Sequence, residues 1–157
     1  MKKGVFSVVV LICSFVIFGG CIKNTPYVTT INPSMTASIG TYNFTASTIV
    51  PTTVDTQAHD SVTALVITGN TSALVYVNDK IILTISKWKN KTGIYSMVMG
   101  EATGTYVHSG IPDGAIGGIV AVTKITDNSI IGYFNFNTGL GTAITNGEFT
   151  VGKPWNY

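Results

Sequence analysis

The feature that most restricts this chain is a period. From Ser34 onward apolar residues recur at alternate positions in short runs bounded by Gly, Asn, Asp and Pro. No amphipathic stretch keeps a helical spacing for more than two turns. Lys80 to Trp88 shows the pattern best, with Ile81, Leu83 and Ile85 on one face. Threonine and other β-branched residues dominate, and they suit a pleated surface better than a helix. The segments between runs are too short to hold crossover connections, so about nine short strands must pair antiparallel. The expected fold is all-β, a sandwich or a partly open barrel.

The expected strands are Ser34 to Ile39, Tyr42 to Ser47, Ser61 to Thr68, Leu74 to Val77, Lys80 to Trp88 and Ile94 to Met99, followed by Thr105 to His108, Ile116 to Ile125, Ser129 to Asn137 and Thr142 to Val151. Gly40-Thr41 makes a tight first hairpin. In the third run Val62, Ala64 and Val66 share a face. Ile111-Pro112-Asp113-Gly114 reads as a turn, because Pro presets φ and Gly accepts positive φ. Leu83, Ile85, Phe134, Phe136, Ile144 and Phe149 are the expected core. Ile144 and Phe149 are five apart, which in a regular strand puts them on opposite faces. A β-bulge at Asn146-Gly147 restores both to the core, and a two-residue Asn-Gly hairpin is the rival; the bulge is favoured.

Ahead of this body stands a different chemistry. Met1-Lys2-Lys3 is a short cationic start, and Val5 to Phe18 is a nearly unbroken apolar run. As a helix it would span roughly 21 Å, short of the roughly 30 Å hydrocarbon core, so it reads as the apolar region of a signal peptide. It ends in Phe18-Gly19-Gly20-Cys21, which resembles the lipobox of bacterial lipoprotein precursors. That resemblance implies cleavage between Gly20 and Cys21 and lipid attachment at Cys21. Phe18 departs from the pattern, where Leu is usual. The chain thus divides into a signal peptide over 1–20, a polar tether with two prolines over 21–33 and an all-β domain over 34–157. A flexible tether of this length reaches roughly 20 Å. Ile22 follows the cysteine and no acidic cluster comes after it, which by the sorting rules of envelope lipoproteins favours the outer membrane, facing the periplasm.

Charge and cysteine content exclude several classes. Every basic residue is a lysine; without Lys2 and Lys3 the body carries seven lysines against seven acids and no net charge. Such a surface has no field for nucleic acid. Cys13 belongs to the leader, so Cys21 has no partner for a disulfide or a zinc-thiolate site. His59 and His108 lack the spacing of a metal pair, there is no D-x-D-x-D loop and no G-x-S-x-G elbow. Asp55, Asp60, Asp79, Asp113, Asp127, Glu101 and Glu148 sit mostly at expected turns, where Asp bonds its own backbone. Ser109-Gly110 reads as a turn, and Gly114 to Gly118 as strand twist or close backbone approach. Trp88, Tyr95, Tyr106, Tyr133, Trp155 and Tyr157 either line a ligand-stacking face or fill the core; Trp88, Tyr95 and Tyr106 are the candidate ligand-binding set. No catalytic residue, metal site or cofactor is expected.

Met35-Thr36-Ala37-Ser38-Ile39-Gly40 with Phe44 and Ala46, then Ile82-Leu83-Thr84-Ile85, Gly93-Ile94-Tyr95, Gly132-Tyr133-Phe134-Asn135-Phe136 and Ile144-Thr145-Asn146-Gly147-Glu148-Phe149 together resemble a family of small envelope lipoproteins of Bacteroidota-type bacteria, a domain of unknown function. The resemblance covers about residues 34 to 151. It implies an all-β fold and an envelope location, and brings no catalytic residues. The stretch from Ser47 to Ser61, with Pro51 and His59, is longer than in that family. The functional expectation is a lipid-anchored, non-enzymatic binding or accessory module. The alternatives are a carrier of small apolar ligands in a barrel pocket and a glycan-binding or adhesion accessory.

Overall fold

The computed structural model describes residues 31–55, 63–72 and 78–154. The leader, Cys21, His59, Asp60, Val62, the expected strand Leu74 to Val77, Trp155 and Tyr157 lie outside them. The described residues are all-β, in ten strands: β1 (Ser34–Ile39), β2 (Tyr42–Thr45), β3 (Thr48–Asp55), β4 (Thr63–Asn70), β5 (Lys80–Trp88), β6 (Gly93–Ser96), β7 (Ala102–His108), β8 (Ile111–Ile125), β9 (Ser129–Thr138) and β10 (Ala143–Gly152). All pairings are antiparallel, in the order β2-β1-β10-β9-β8-β7-β5-β4-β3, with β6 beside β8.

The sheet curls into a half-barrel. Its two outer strands, β2 and β3, are consecutive in the chain. At the joint the Ala46 N–H donates to Met35 O of β1 and the Ser47 N–H to Asn70 O of β4, at 2.9 and 2.8 Å. One short segment therefore serves both ends of the strand order, which leaves less open edge for a foreign strand to pair with. β8 makes the bend on the other side. Its first residues, Ile111 to Gly114, pair with β7, and Ile119 to Val122 pair with β6. Between them the register with β9 shifts, and Gly118 adopts φ 140°, where an added Cβ would run into the Asn135 carbonyl and Phe136. Only a glycine fits this corner. The short β6 is closed off locally: the Ser96 N–H donates to Glu101 Oε2 and Ser96 O accepts the Glu101 N–H, both at 2.9 Å.

The concave side is filled by side chains. Phe44, Phe134, Phe136, Phe149, Met35, Leu65, Ile67, Ile81, Leu83, Ile85, Ile130 and Ile144 are all fully buried. Phe134 lies between Phe136 and Phe149, with centroid separations of 6.3 and 6.5 Å. Every expected core residue is in this set. The bulge is also present: Ile144 pairs with Phe136 and Gly147 with Phe134, with a shift between them. The backbone detail differs from a simple glycine bulge. Asn146 takes the left-handed conformation, φ 50°, while Gly147 is needed because a Cβ there would sit 2.5 Å from the Phe134 ring and 2.6 Å from its carbonyl oxygen.

Four expectations are corrected. Thr48–Asp55, which lies between the expected strands Tyr42 to Ser47 and Ser61 to Thr68, is itself a full strand. Pro51 is tolerated there because β3 ends the strand order and its missing N–H breaks no interior ladder. Ile111 to Gly114 is not a turn but the start of β8; the turn is confined to Ser109 and Gly110, with φ 51° and 85°. In β4 the buried face is that of Leu65, Ile67 and Gly69, with Val66 half-buried on the other face; the residue that shifts the β4–β5 register is extra in β5, where Lys87 takes φ 53°, and leaves the alternation of β4 intact. Ile94 to Met99 shortens to Gly93–Ser96, since Ser96 to Glu101 folds into a turn.

Candidate functional site

The residues that matter most meet where β5, β7 and β8 share one end. Tyr106 and His108 are two apart on β7, so they project to the same face. Lys80 at the start of β5 pairs with Val107, which brings the preceding residue, Asp79, level with His108. Asn78, at φ 73°, turns the chain just before it. The Asp79 carbonyl accepts the Thr71 N–H at 3.0 Å, which holds the backbone while the carboxylate points inward.

That carboxylate is fully buried and receives three donors. Tyr106 Oη donates to Oδ2 at 2.7 Å, His108 Nδ1 lies 3.0 Å from Oδ1 and 3.2 Å from Oδ2, and the Ser109 N–H donates to Oδ1 at 3.3 Å. The Tyr106 and His108 rings stack, with centroids 6.0 Å apart and planes 30° apart. Asp79 thus pins the β7–β8 hairpin from the side. A buried carboxylate needs such donors to be tolerable. The His108 side chain remains 56% exposed. Its Nδ1 is committed to Asp79, so the ring presents Nε2 outward, the arrangement that elsewhere fixes an imidazole tautomer for ligand contact.

Tyr106 and His108 line a cleft of about 330 Å³ with Ile39, Ile111, Asp113, Leu140 and Thr142. Its far wall is the β9–β10 turn, tied down by Asp113. Asp113 Oδ1 accepts the Leu140 N–H at 3.2 Å, and the Gly139 N–H donates to Gly114 O at 2.9 Å. Ile111 and Leu140 stand 64% and 79% exposed at the mouth. Apolar walls with one oriented polar tip are the usual composition of a small-ligand site. Among the described residues no group of three or more His, Cys, Asp or Glu side chains is placed to hold a metal.

The candidate aromatics do not form one site. Tyr106 lies in the cleft wall, 6% exposed. Trp88 and Tyr95 pack together elsewhere, centroids 5.9 Å apart, with Trp88 only 3% exposed. The Trp88 indole N–H has no acceptor among the described residues, and Tyr95 Oη donates to Lys91 O at 2.9 Å. Burial, and secondarily the Glu101 carboxylate, raises the Tyr95 phenol above its ordinary range. Tyr133 faces outward from β9.

The sequence reading missed the joining of Asp79 to His108. Local sequence makes Asp79 a turn residue bonded to its own backbone and His108 a lone histidine on a short strand; the β5–β7 register is what brings them together. The available signal was Tyr106 and His108 on one face of a strand, with an aspartate opening a neighbouring one. Compared with protein-family models, curated proteins and solved structures, the chain matches none.

Proposed function

We propose that this protein is a lipid-anchored lipoprotein of the outer membrane, facing the periplasm, and that it acts as a non-enzymatic binding module through the cleft at His108. Membership in the small lipoprotein family of Bacteroidota-type bacteria belongs to the same proposal. The observation that carries the binding role is the pairing of exposed apolar walls, Ile111 and Leu140, with an imidazole held by a fully buried carboxylate. Such a cleft suits an amphiphile with a small apolar body and one hydrogen-bonding head group. It favours a ligand held at the rim over a carrier that encloses its ligand, because the concave side is occupied by phenylalanines and aliphatic residues. A glycan-stacking face draws less support, since Trp88 and Tyr106 are both buried.

Hydrolysis is the second reading, and the Asp79–His108 contact is the one observation in its favour. A general base needs a nucleophile within reach. Among the described residues the only hydroxyl bonded to the ring is that of Tyr106, at 3.3 Å and on the same Nδ1 that faces Asp79. The non-enzymatic reading is therefore preferred.

Native mass spectrometry of the protein purified from its own host tests the binding role. A co-purifying small molecule is expected, and it should be lost in Leu140→Asp while the far-ultraviolet dichroism is unchanged. An adduct retained in that variant, or none in the parent, refutes the cleft as the site. Ester hydrolysis that vanishes in His108→Ala would establish the enzymatic reading instead. The anchor is tested by Cys21→Ala, which should abolish incorporation of a palmitate analogue; continued labelling refutes it.

A further inference from the structure

The charges of this neutral body are not spread evenly. Lys87, Lys89 and Lys91 lie at the close of β5 and in the link to β6, Lys124 lies near the end of β8, and Lys153 follows β10. The ladder places them together. Ser34 pairs with Thr150, Thr150 with Ile131 and Ile131 with Lys124, so a single row across three strand spacings, about 14 Å, joins the start of β1 to Lys124. Gly93 pairs with Val122, which sets Lys91 beside that row, and the Lys153 N–H donates to Asn128 O at 3.0 Å in the adjoining turn. Four of the five lysines are exposed and Lys153 is half-buried. Among the described residues five lysines face three acids at this end: Asp127, Asp55 by its register against Thr63, and Glu101, whose carbonyl accepts the Ser86 N–H beside Lys87 and whose carboxylate is taken up by the Ser96 N–H. The cleft end carries Lys80 against Asp79 and Asp113. The result is a dipolar domain, basic at one end and apolar with buried acids at the other.

The basic end is also where the chain arrives. Ser34 opens β1 at its end remote from Ile39, which lines the cleft; the six-residue strand separates them by about 17 Å. We propose that the lysine-bearing end is a docking surface for an anionic lipid headgroup layer, and that it seats the domain on the membrane with the cleft pointing away. The proposal rests on the lipid-anchor reading, because an acyl group at Cys21, joined through residues 21–33, holds this end within roughly 20 Å of the bilayer. A tether of that reach lets the lysines come within a Debye length, about 8 Å, of an anionic surface, where each one in contact strengthens binding about five-fold. The anchor supplies residence and the lysines supply orientation, two signals acting on one surface.

The test uses the acylated chain, reconstituted into vesicles of phosphatidylcholine alone or with about 30% phosphatidylglycerol, and read by amine acetylation with peptide mass spectrometry. Lys87, Lys89, Lys91, Lys124 and Lys153 should be protected only in the anionic vesicles, and protection should disappear at high salt, while Lys80 reacts equally in both. Lys89→Gln with Lys91→Gln should weaken the protection of Lys124 by up to about 25-fold. Equal lysine reactivity in the two vesicles, or protection of Lys80 instead, overturns the proposal with the anchor intact. If the chain carries no acyl group, the anchor reading fails by itself; flotation with anionic vesicles alone would still support the surface, and no flotation would refute it.

Discussion

Removing the Asp79 carboxylate should cost more stability than removing the histidine it contacts. Burying a charge is expensive, and replacing a whole buried pair by apolar groups is often neutral, so the outcome depends on what remains after the change. Asp79→Ala leaves the donors in place. The Tyr106 hydroxyl loses a charge-assisted bond of 2.7 Å inside the protein, a loss of about 1.5–3 kcal/mol. The Ser109 N–H loses a long contact of 3.3 Å, about 0.5 kcal/mol. His108 is more than half exposed and turns to water, so its share is below about 1 kcal/mol. The total is about 3 kcal/mol. With a slope of about 1.5 kcal/mol per molar urea, the unfolding midpoint should fall by about 2 M. Asp79→Asn keeps one acceptor oxygen and should lose about half as much, and His108→Ala less than about 1 kcal/mol. Equilibrium urea unfolding followed by dichroism ranks the three. If Asp79→Ala is no less stable than His108→Ala, the carboxylate does not hold the hairpin, and its placement beneath the cleft has been misjudged.

Phe134→Ala removes the ring stacked between Phe136 and Phe149 and should cost about 3–5 kcal/mol, visible as a large fall in the urea midpoint. Gly147→Ala should destabilise by about 1–3 kcal/mol through overpacking against Phe134, whose carbonyl cannot move aside as a ring can; an unchanged midpoint would place the bulge elsewhere. Tyr95 gives an alkaline effect: its folded pKa lies above the unfolded value of 10.0, so the folded state keeps the proton longer, and stability is full below pH 10.0 and declines as pH rises through the folded pKa. In Tyr95→Phe that part of the alkaline decline should vanish, and an identical pH profile would exclude Tyr95 as its source.

The strands were legible wherever one face is buried and the other wet. Lys80–Trp88 and Ser129–Thr138 alternate almost perfectly because each lies between two neighbours with the core on one side only. Where both faces of a strand are apolar, the pattern misleads. β4 carries Ala64 and Val66 on one face and Leu65 and Ile67 on the other, so alternation alone does not choose the buried one. β3 was hidden by Pro51, whose penalty applies to interior strands and not to the last one. The bulge in β10 could be found because two large apolar residues at an odd spacing both had to be buried, which favoured a bulge over the rival Asn-Gly hairpin.

The cleft was illegible for a different reason. Its polar centre joins Asp79 to residues 27 to 30 positions away, and the link is made by strand pairing alone. Local rules assign an aspartate after an asparagine turn to its own backbone, and they assign it correctly when the neighbouring strand ends elsewhere. Here the β5–β7 register sets Lys80 against Val107, so the carboxylate lies within reach of both side chains that flank Val107 on β7. A slip of one residue would carry Tyr106 and His108 to the opposite face and leave the buried charge without two of its donors. The same contacts that make the site therefore help to fix the register that makes it, and Asp79 serves both roles through one set of hydrogen bonds.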